Sequence, residues 1–525
     1  MSERAQERHG VANAPGGPGG RGVRGLVLGC ALAVLGGCGS SELPMLAQFE
    51  PTACRHELQP GSTTECGYLL VPEGRSAPDS GRWLRLYVAI YRSLDGRRDQ
   101  SPLLYLIGGP GASTAGAYAV FEDTSAGNYF RHHFGGTRDI IVLDQRGTNY
   151  SNPALYCSRE LGPLRSEVYG MAFADAATLR IQALAACYGR LQDEGVNLSA
   201  YDSLEIATDV RDMALILGHE RFVLYGASYG TRVVMLTMKH YPERVETAIL
   251  DSILPPEINP YEEEPAAVLH SFRAFFDAAM ARYPDLEAHF YAMTNAVQAA
   301  PVRVVGHHYD DAGTATDAIP VTVTGETFIA FLAGNLKLTP YDSGLPKRIE
   351  GMFATGDYGL VADAWISYLD FFFPAGEAGS GAPSVGLYNS VFSAEDAYYT
   401  SPARVRQKIQ ESGANDAIAA YLEGHFIRME PAVQGVWPVA PLSSREKDPV
   451  ASSIPTLMLA GTLDNATPET FSRPSATLLT ESVYVTVLAG HATAYLECVT
   501  RMIRDFMADP TVAPANSCPA AYAWD

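Results

Sequence analysis

Three side chains have the types and the setting for nucleophilic catalysis: Ser228, Asp464 and His491. Ser228 is the centre of Gly226-Ala227-Ser228-Tyr229-Gly230. Four apolar residues, Phe222 to Tyr225, precede it and predict a buried strand; Thr231 to His240 follow it and predict a helix. A strand, a tight turn and a helix are the context in which G-x-S-x-G holds a serine out at a strained backbone position. The two glycines are required because side chains at 226 and 230 would strike the neighbouring strand and helix. A serine hydroxyl is a poor nucleophile until an imidazole takes its proton. The imidazole in turn needs a carboxylate to hold one tautomer and to stabilise its charged form.

Those side chains must be brought together from afar: Asp464 lies 464 − 228 = 236 residues beyond the serine. Eight apolar runs predict strands, at Cys66–Val71, Trp83–Tyr91, Leu103–Ile107, Asp139–Leu143, Phe222–Tyr225, Val245–Leu250, Thr456–Leu459 and Val483–Leu488. Helical patterns alternate with them, which implies a mostly parallel sheet with right-handed crossovers. In such a sheet function sits beyond the carboxyl ends of the strands. Ser228, Asp464 and His491 each stand just after a predicted strand and can converge there. Asp251 also follows a strand and is the alternative acid. His132, His133, His270, His307, His308 and His425 do not end a strand of the alternating pattern, and surface or cap positions suit them better.

The third strand runs into Gly108-Gly109-Pro110-Gly111. No further glycine or phosphate-binding lysine completes a nucleotide fingerprint. A glycine turn in this place can instead aim a backbone N–H at a developing oxyanion. Pro110 has no N–H, so Gly109 and Tyr229 are the expected pair of donors. Asp144 and Arg146, after the fourth strand, are expected to form a buried ion pair under the site. No H-E-x-x-H or comparable spacing is found, so neither metal nor cofactor is expected.

The chain has 525 residues and a formal net charge of -21, which argues against nucleic acid as a partner. Its length suggests more than one unit. Residues 1–37 read as a signal segment with a charged lead and a short apolar run. The run ends in Leu35-Gly36-Gly37-Cys38, which resembles a bacterial lipobox. Lipidation at Cys38 would attach the protein to a membrane. The six later cysteines fall into sequence-local pairs, Cys54 with Cys66, Cys157 with Cys187 and Cys498 with Cys518, as disulfides of an oxidising compartment would. After a tether at 38–50, the alternating pattern occupies 51–254 and 450–525. The intervening 255–449 lacks it, carries helical periodicity and a Gly/Ser-rich loop, and reads as a mainly helical cap insertion.

The ordered set Gly108-Gly-Pro-Gly111, Asp144-Gln-Arg-Gly147, Gly226-Ala-Ser-Tyr-Gly230, Asp251, Gly461-Thr-Leu-Asp464 with Thr467-Pro468, and Gly490-His491 resembles the prolyl iminopeptidase-like serine peptidases. It is more similar still to the secreted tripeptidyl aminopeptidases of bacteria. The resemblance covers residues 54–256 and 451–525. It implies an α/β-hydrolase fold with an eight-stranded, mostly parallel sheet, and a peptide substrate attacked near a free amino end. It places the family's roles on Ser228, Asp464 and His491, with Gly109 and Tyr229 at the oxyanion. Amino-end-specific members hold the substrate ammonium with cap carboxylates, for which Glu257, Glu262, Glu263 and Glu264 are candidates. The chain departs from the pattern at Ile107, where iminopeptidases usually carry histidine. A carboxylesterase on the same triad is the alternative reading. The implied location is the bacterial cell envelope, anchored to a membrane and facing the periplasm or exterior.

Overall fold

A computed structural model describes residues 48–55, 63–75, 81–114, 133–310 and 312–525. The signal segment, Cys38 and His132 lie outside the described residues. The strands are β1 (Gln48–Thr52), β2 (Thr64–Pro72), β3 (Trp83–Tyr91), β4 (Leu103–Leu106), β5 (Ile140–Leu143), β6 (Phe222–Ala227), β7 (Val245–Asp251), β8 (Val302–Gly306), β9 (Ile319–Val323), β10 (Thr456–Gly461) and β11 (Ser482–Val487). Nine of them form one sheet in the order β1-β2-β3-β5-β4-β6-β7-β10-β11. β1, β2 and β3 run antiparallel up to the β3–β5 contact; all pairs from β5 to β11 are parallel. The sheet therefore has one strand more than the eight expected. The extra strand, β1, starts inside the segment expected to be a tether, and its Gln-Phe-Glu-Pro-Thr, with only Phe49 and Glu50 partly buried, carries no alternating apolar pattern. It is secured at the edge by pairing with β2 and by an ion pair of 2.9 Å between Glu50 and Arg85 of β3.

Every residue of β4, β5, β6 and β10 is buried. These strands are covered on both faces, so they read as unbroken apolar runs, as parallel strands must. Register brings their carboxyl ends level. Ala227 of β6 pairs with Asp251 of β7, Asp251 with Leu459 of β10, and Gly461 of β10 with Val487 of β11. The turns after β4, β6, β10 and β11 consequently open on the same edge.

Residues 255–449, expected as a cap, hold mainly helices, among them Pro260–Ala279, Leu286–Ala299, Gly325–Leu336, Gly359–Phe372, Val385–Glu395 and Pro402–Glu411, with one antiparallel hairpin, β8–β9. The cap is bolted to the core by buried charge. Arg232, on the helix Tyr229–His240, meets Asp396 at 2.7 Å and Glu395 at 3.2 Å, with all three side chains at 3% exposure or less. Three disulfides join Cys54 to Cys66, Cys157 to Cys187 and Cys498 to Cys518. Beyond the last, the chain returns to the cap: the Trp524 ring packs on Phe275 and Tyr341, and its indole N–H donates to the Ala278 carbonyl at 3.0 Å.

Candidate active site

Ser228 directly follows β6, and its φ of 55° and ψ of −128° place it in a strained, positive-φ conformation. Its N–H donates to the Asp251 carbonyl at 2.8 Å. The flanking glycines are forced by contact. A Cβ on Gly226 would stand 2.6 Å from the Gly230 carbonyl oxygen, and one on Gly230 would stand 2.0 Å from that of Leu106. The turn after β4 lies directly against the serine, because a Cβ on Gly108 would come within 3.0 Å of Ser228 Oγ. Gly109, at φ 114°, and the Tyr229 N–H, at the start of its helix, are thus both next to the serine. First-turn N–H groups have no partner within their own helix.

Asp464 and His491 are brought together across the loops after β10 and β11. His491 Nδ1 lies 2.8 Å from Asp464 Oδ2. The remaining acceptor positions of the carboxylate are filled by its own loop. The N–H groups of Ala466 and Thr467 donate to Oδ1 at 2.9 and 3.0 Å, and the Thr467 hydroxyl donates to Oδ2 at 2.9 Å. Burial pushes this carboxyl toward its neutral form, but His491 and the hydrogen bonds outweigh it and hold Asp464 well below the usual carboxylate range. An anion here fixes the proton on Nδ1 and leaves Nε2 as the basic nitrogen. Past His491 the chain turns through Ala492 at φ 61°, whose N–H donates to Ser252 Oγ at 2.8 Å.

Asp251 has a different task. Its Oδ1 accepts from the Thr493 N–H and hydroxyl, each at 2.8 Å; its Oδ2 accepts from the Ala494 N–H and the Tyr225 hydroxyl, each at 3.0 Å. It buttresses the loop that follows His491, while burial drives its own carboxyl upward. Asp144 and Arg146, expected as an ion pair, go separate ways. Arg146 donates two hydrogen bonds to Asp209, at 2.7 and 2.8 Å, whereas Asp144 accepts from Ser113 and Asn149. Of the rival histidines, His270 is on an exposed helix face, His308 meets Asp317 and Asp370, and His425, partly buried, lies beside the Tyr368 hydroxyl, with its pKa driven down to about 3 by burial.

The four cap glutamates divide three to one. Glu262 meets Arg404 at 3.1 Å, Glu263 meets Lys408 at 3.2 Å, and Glu257 accepts from the Ser475 hydroxyl at 3.0 Å. The Glu264 carboxylate has no hydrogen-bond partner among the described residues, and it is partly buried. Burial, partly offset by Lys337 and reinforced by the negative charges of Asp464, Glu430 and Asp396, pushes its carboxyl up to about 8. Glu430 is a second buried carboxyl near it, accepting from the hydroxyls of Tyr261 at 3.2 Å and Tyr388 at 3.5 Å. Sequence reading missed Glu430: it stands 430 − 264 = 166 residues from Glu264, after a short helical turn with no motif around it.

Comparison with known proteins agrees with this architecture. Residues 101–296 match the alpha/beta hydrolase fold family, and residues 428–518 match the TAP-like protein family. The second match holds both Asp464 and His491. The serine protease Hip1 of Mycobacterium tuberculosis is 29% identical over 269 residues, 48% of this chain and 48% of the relative. The chain thus spans about half the length of the curated relatives it matches. Among solved structures, the proline iminopeptidase-related protein of Thermus thermophilus shares 17% identity over 86% of this chain and 99% of its own, with a TM-score of 0.36. An esterase from Thermogutta terrifontis shares 15% identity over 82% and 96%, with a TM-score of 0.34.

Proposed function

The chain is an α/β-hydrolase by fold, and from that premise we propose that it is an exported, lipid-anchored serine peptidase that cleaves peptides near a free amino end. The observation that carries the reading is the 2.8 Å contact between His491 Nδ1 and an ionised, buried Asp464 on the sheet edge that also presents the strained Ser228. In the reaction, Ser228 Oγ adds to the scissile carbonyl carbon while His491 Nε2 takes its proton. The carbonyl oxygen becomes an oxyanion held by the N–H groups of Gly109 and Tyr229. Asp464 stabilises the imidazolium. His491 then returns the proton to the leaving amine, the C–N bond breaks, and an acyl-serine remains. Water, deprotonated by His491, hydrolyses it by the same steps.

The amino-end preference rests on Glu264. A desolvated carboxyl with no hydrogen-bond partner gains most from a cationic ligand, since an ammonium group removes the cost of burying its charge. Glu430 adds negative potential beside it. Export is supported by the three disulfides, which suit an oxidising compartment. The anchor is supported by the lipobox-like Leu35–Cys38. No helix among the described residues is long and apolar enough to cross a membrane.

The deciding experiment is a peptide-library digest read by mass spectrometry, run with free and with acetylated amino ends. Products counted from the free amino end, lost on acetylation and absent with Ser228→Ala, are expected. Turnover of short acyl esters with no peptide cleaved would establish the carboxylesterase instead.

A further inference from the structure

The Gly/Ser-rich stretch of the cap, residues 374–384, lies against the turn that carries Gly109, and two separate ties join them. In the first, the Ser384 N–H donates to the Gly111 carbonyl at 2.8 Å. The backbones approach so closely that a Cβ on Gly111 would stand 2.4 Å from the Ser384 carbonyl oxygen. The second tie runs through side chains. The Gly379 N–H donates to Asn149 Oδ1 at 2.7 Å, and Asn149 Nδ2 donates to Asp144 Oδ2 at 2.9 Å. The other oxygen of Asp144 accepts from the Ser113 hydroxyl at 3.2 Å. Gln145, the next residue, donates through Nε2 to the Ile107 carbonyl at 3.0 Å.

Both ends of the 107–113 turn are therefore held from residues 144–149, and those are held in turn from the cap. Asn149 is the joint. It is 1% exposed, and it adopts a φ of 39°, a left-handed conformation that asparagine tolerates better than most residues. Its amide suits the place because it can accept from a backbone N–H on one side and donate to a carboxylate on the other. Alanine could do neither, and aspartate could not donate.

We propose that Asn149 is a positioning residue through which the cap stretch 374–384 sets the oxyanion turn over Ser228. The inference rests on the acyl-transfer reading of Ser228 and Gly109 above. An oxyanion donor is effective only at roughly 2.7–3.1 Å from the charge that develops. A misplacement of about 1 Å costs on the order of 10²-fold in rate.

The test uses the full chain with Asn149→Ala, Asn149→Asp and, as a milder break in the same path, Ser113→Ala. The readouts are kcat and KM on a cleaved peptide, the affinity of a matching peptidyl aldehyde, and the affinity of the product peptide. The aldehyde adds Ser228 Oγ across its carbonyl and so carries the oxyanion; the product does not. Expected for both Asn149 variants is a fall of about 10- to 100-fold in kcat and a parallel loss of aldehyde affinity. KM and product affinity should move by less than about twofold. Ser113→Ala should show the same split at smaller size, and it decides the matter if the Asn149 variants fail to fold. Unchanged kcat and aldehyde affinity, or aldehyde and product affinities falling together, overturns the proposal. Turnover that survives Ser228→Ala would instead overturn the reading beneath it.

Discussion

The backbone N–H of His491 donates to the carbonyl oxygen of Lys337 at 2.9 Å, so the helical insertion holds the proposed base by its main chain. Lys337 directly follows the cap helix Gly325–Leu336, whose last carbonyls have no partner inside the helix. The neighbouring Gly490 is pressed on the same helix end, where a Cβ would stand 2.5 Å from the carbonyl oxygens of both Leu336 and Leu338. Asn465, beside Asp464, also donates to a carbonyl of that helix, Ala333, at 2.8 Å. Asp464 and His491, the proposed acid and base, are thus registered against one another through the helical insertion as well as through the sheet.

Gly490→Ala should therefore push the His491 loop off the cap helix. The expected result is a fall in kcat of about 10²-fold, the cost of a displacement near 1 Å, together with a lowered Tm. Steady-state kinetics and thermal unfolding check this. Full kcat in a folded variant would show that the cap carbonyls do not place the base.

The two aspartates should separate cleanly. Asp464→Asn leaves the shape of the site but removes the charge that fixes the imidazole tautomer, and kcat should fall by about 10⁴-fold with little change in Tm. Asp251→Asn removes a carboxylate that accepts four hydrogen bonds. Its signature should be destabilisation of about 2–4 kcal/mol, with kcat per folded molecule changed by less than about tenfold. Denaturant unfolding and active-site titration of both variants would show the reverse pattern if Asp251 were the acid.

Glu264 makes the free-amine preference and the pH dependence one question. Its carboxyl, ordinarily at 4.5, rises to about 8 in the folded chain, so the native state holds the proton that the unfolded chain releases. Stability carried by the protonated form is complete below 4.5 and is lost as pH climbs toward 8. Glu264→Gln should remove that slope, and its stability relative to wild type should grow between pH 4.5 and 8 and level off above. The same variant should raise KM for free-amine peptides by about 10- to 100-fold, a charge-assisted contact being worth roughly 1.5–3 kcal/mol, while sparing short acyl esters. Unchanged KM for free-amine peptides would remove Glu264 from the amine site.

Much of the site was legible because its signals are local. A strand, two glycines and a helix frame Ser228 within a short stretch, and Asp464 and His491 each follow an apolar run. What escaped depends on distance. Arg146 turns from its neighbour Asp144 to Asp209, 63 residues on, where the helix Ser203–Leu217 offers a carboxylate that its Nε and Nη2 both reach. Glu262 and Glu263 sit beside Glu264 in sequence, yet a helix turns successive side chains by about 100°. Two of the three therefore meet Arg404 and Lys408, and Glu264 meets neither. β1 was hidden because a single apolar residue, Phe49, packs on the core from a strand otherwise held by pairing with β2.

The order of strands in the sheet also sets a schedule. β4, β6 and β7 can pair once the chain up to residue 251 is free to fold, and β10 and β11 then add to the free edge of β7. Asp464 lies 236 residues and His491 491 − 228 = 263 residues beyond Ser228. A polypeptide cut short anywhere between 255 and 449 keeps the serine turn and lacks both side chains proposed to activate it.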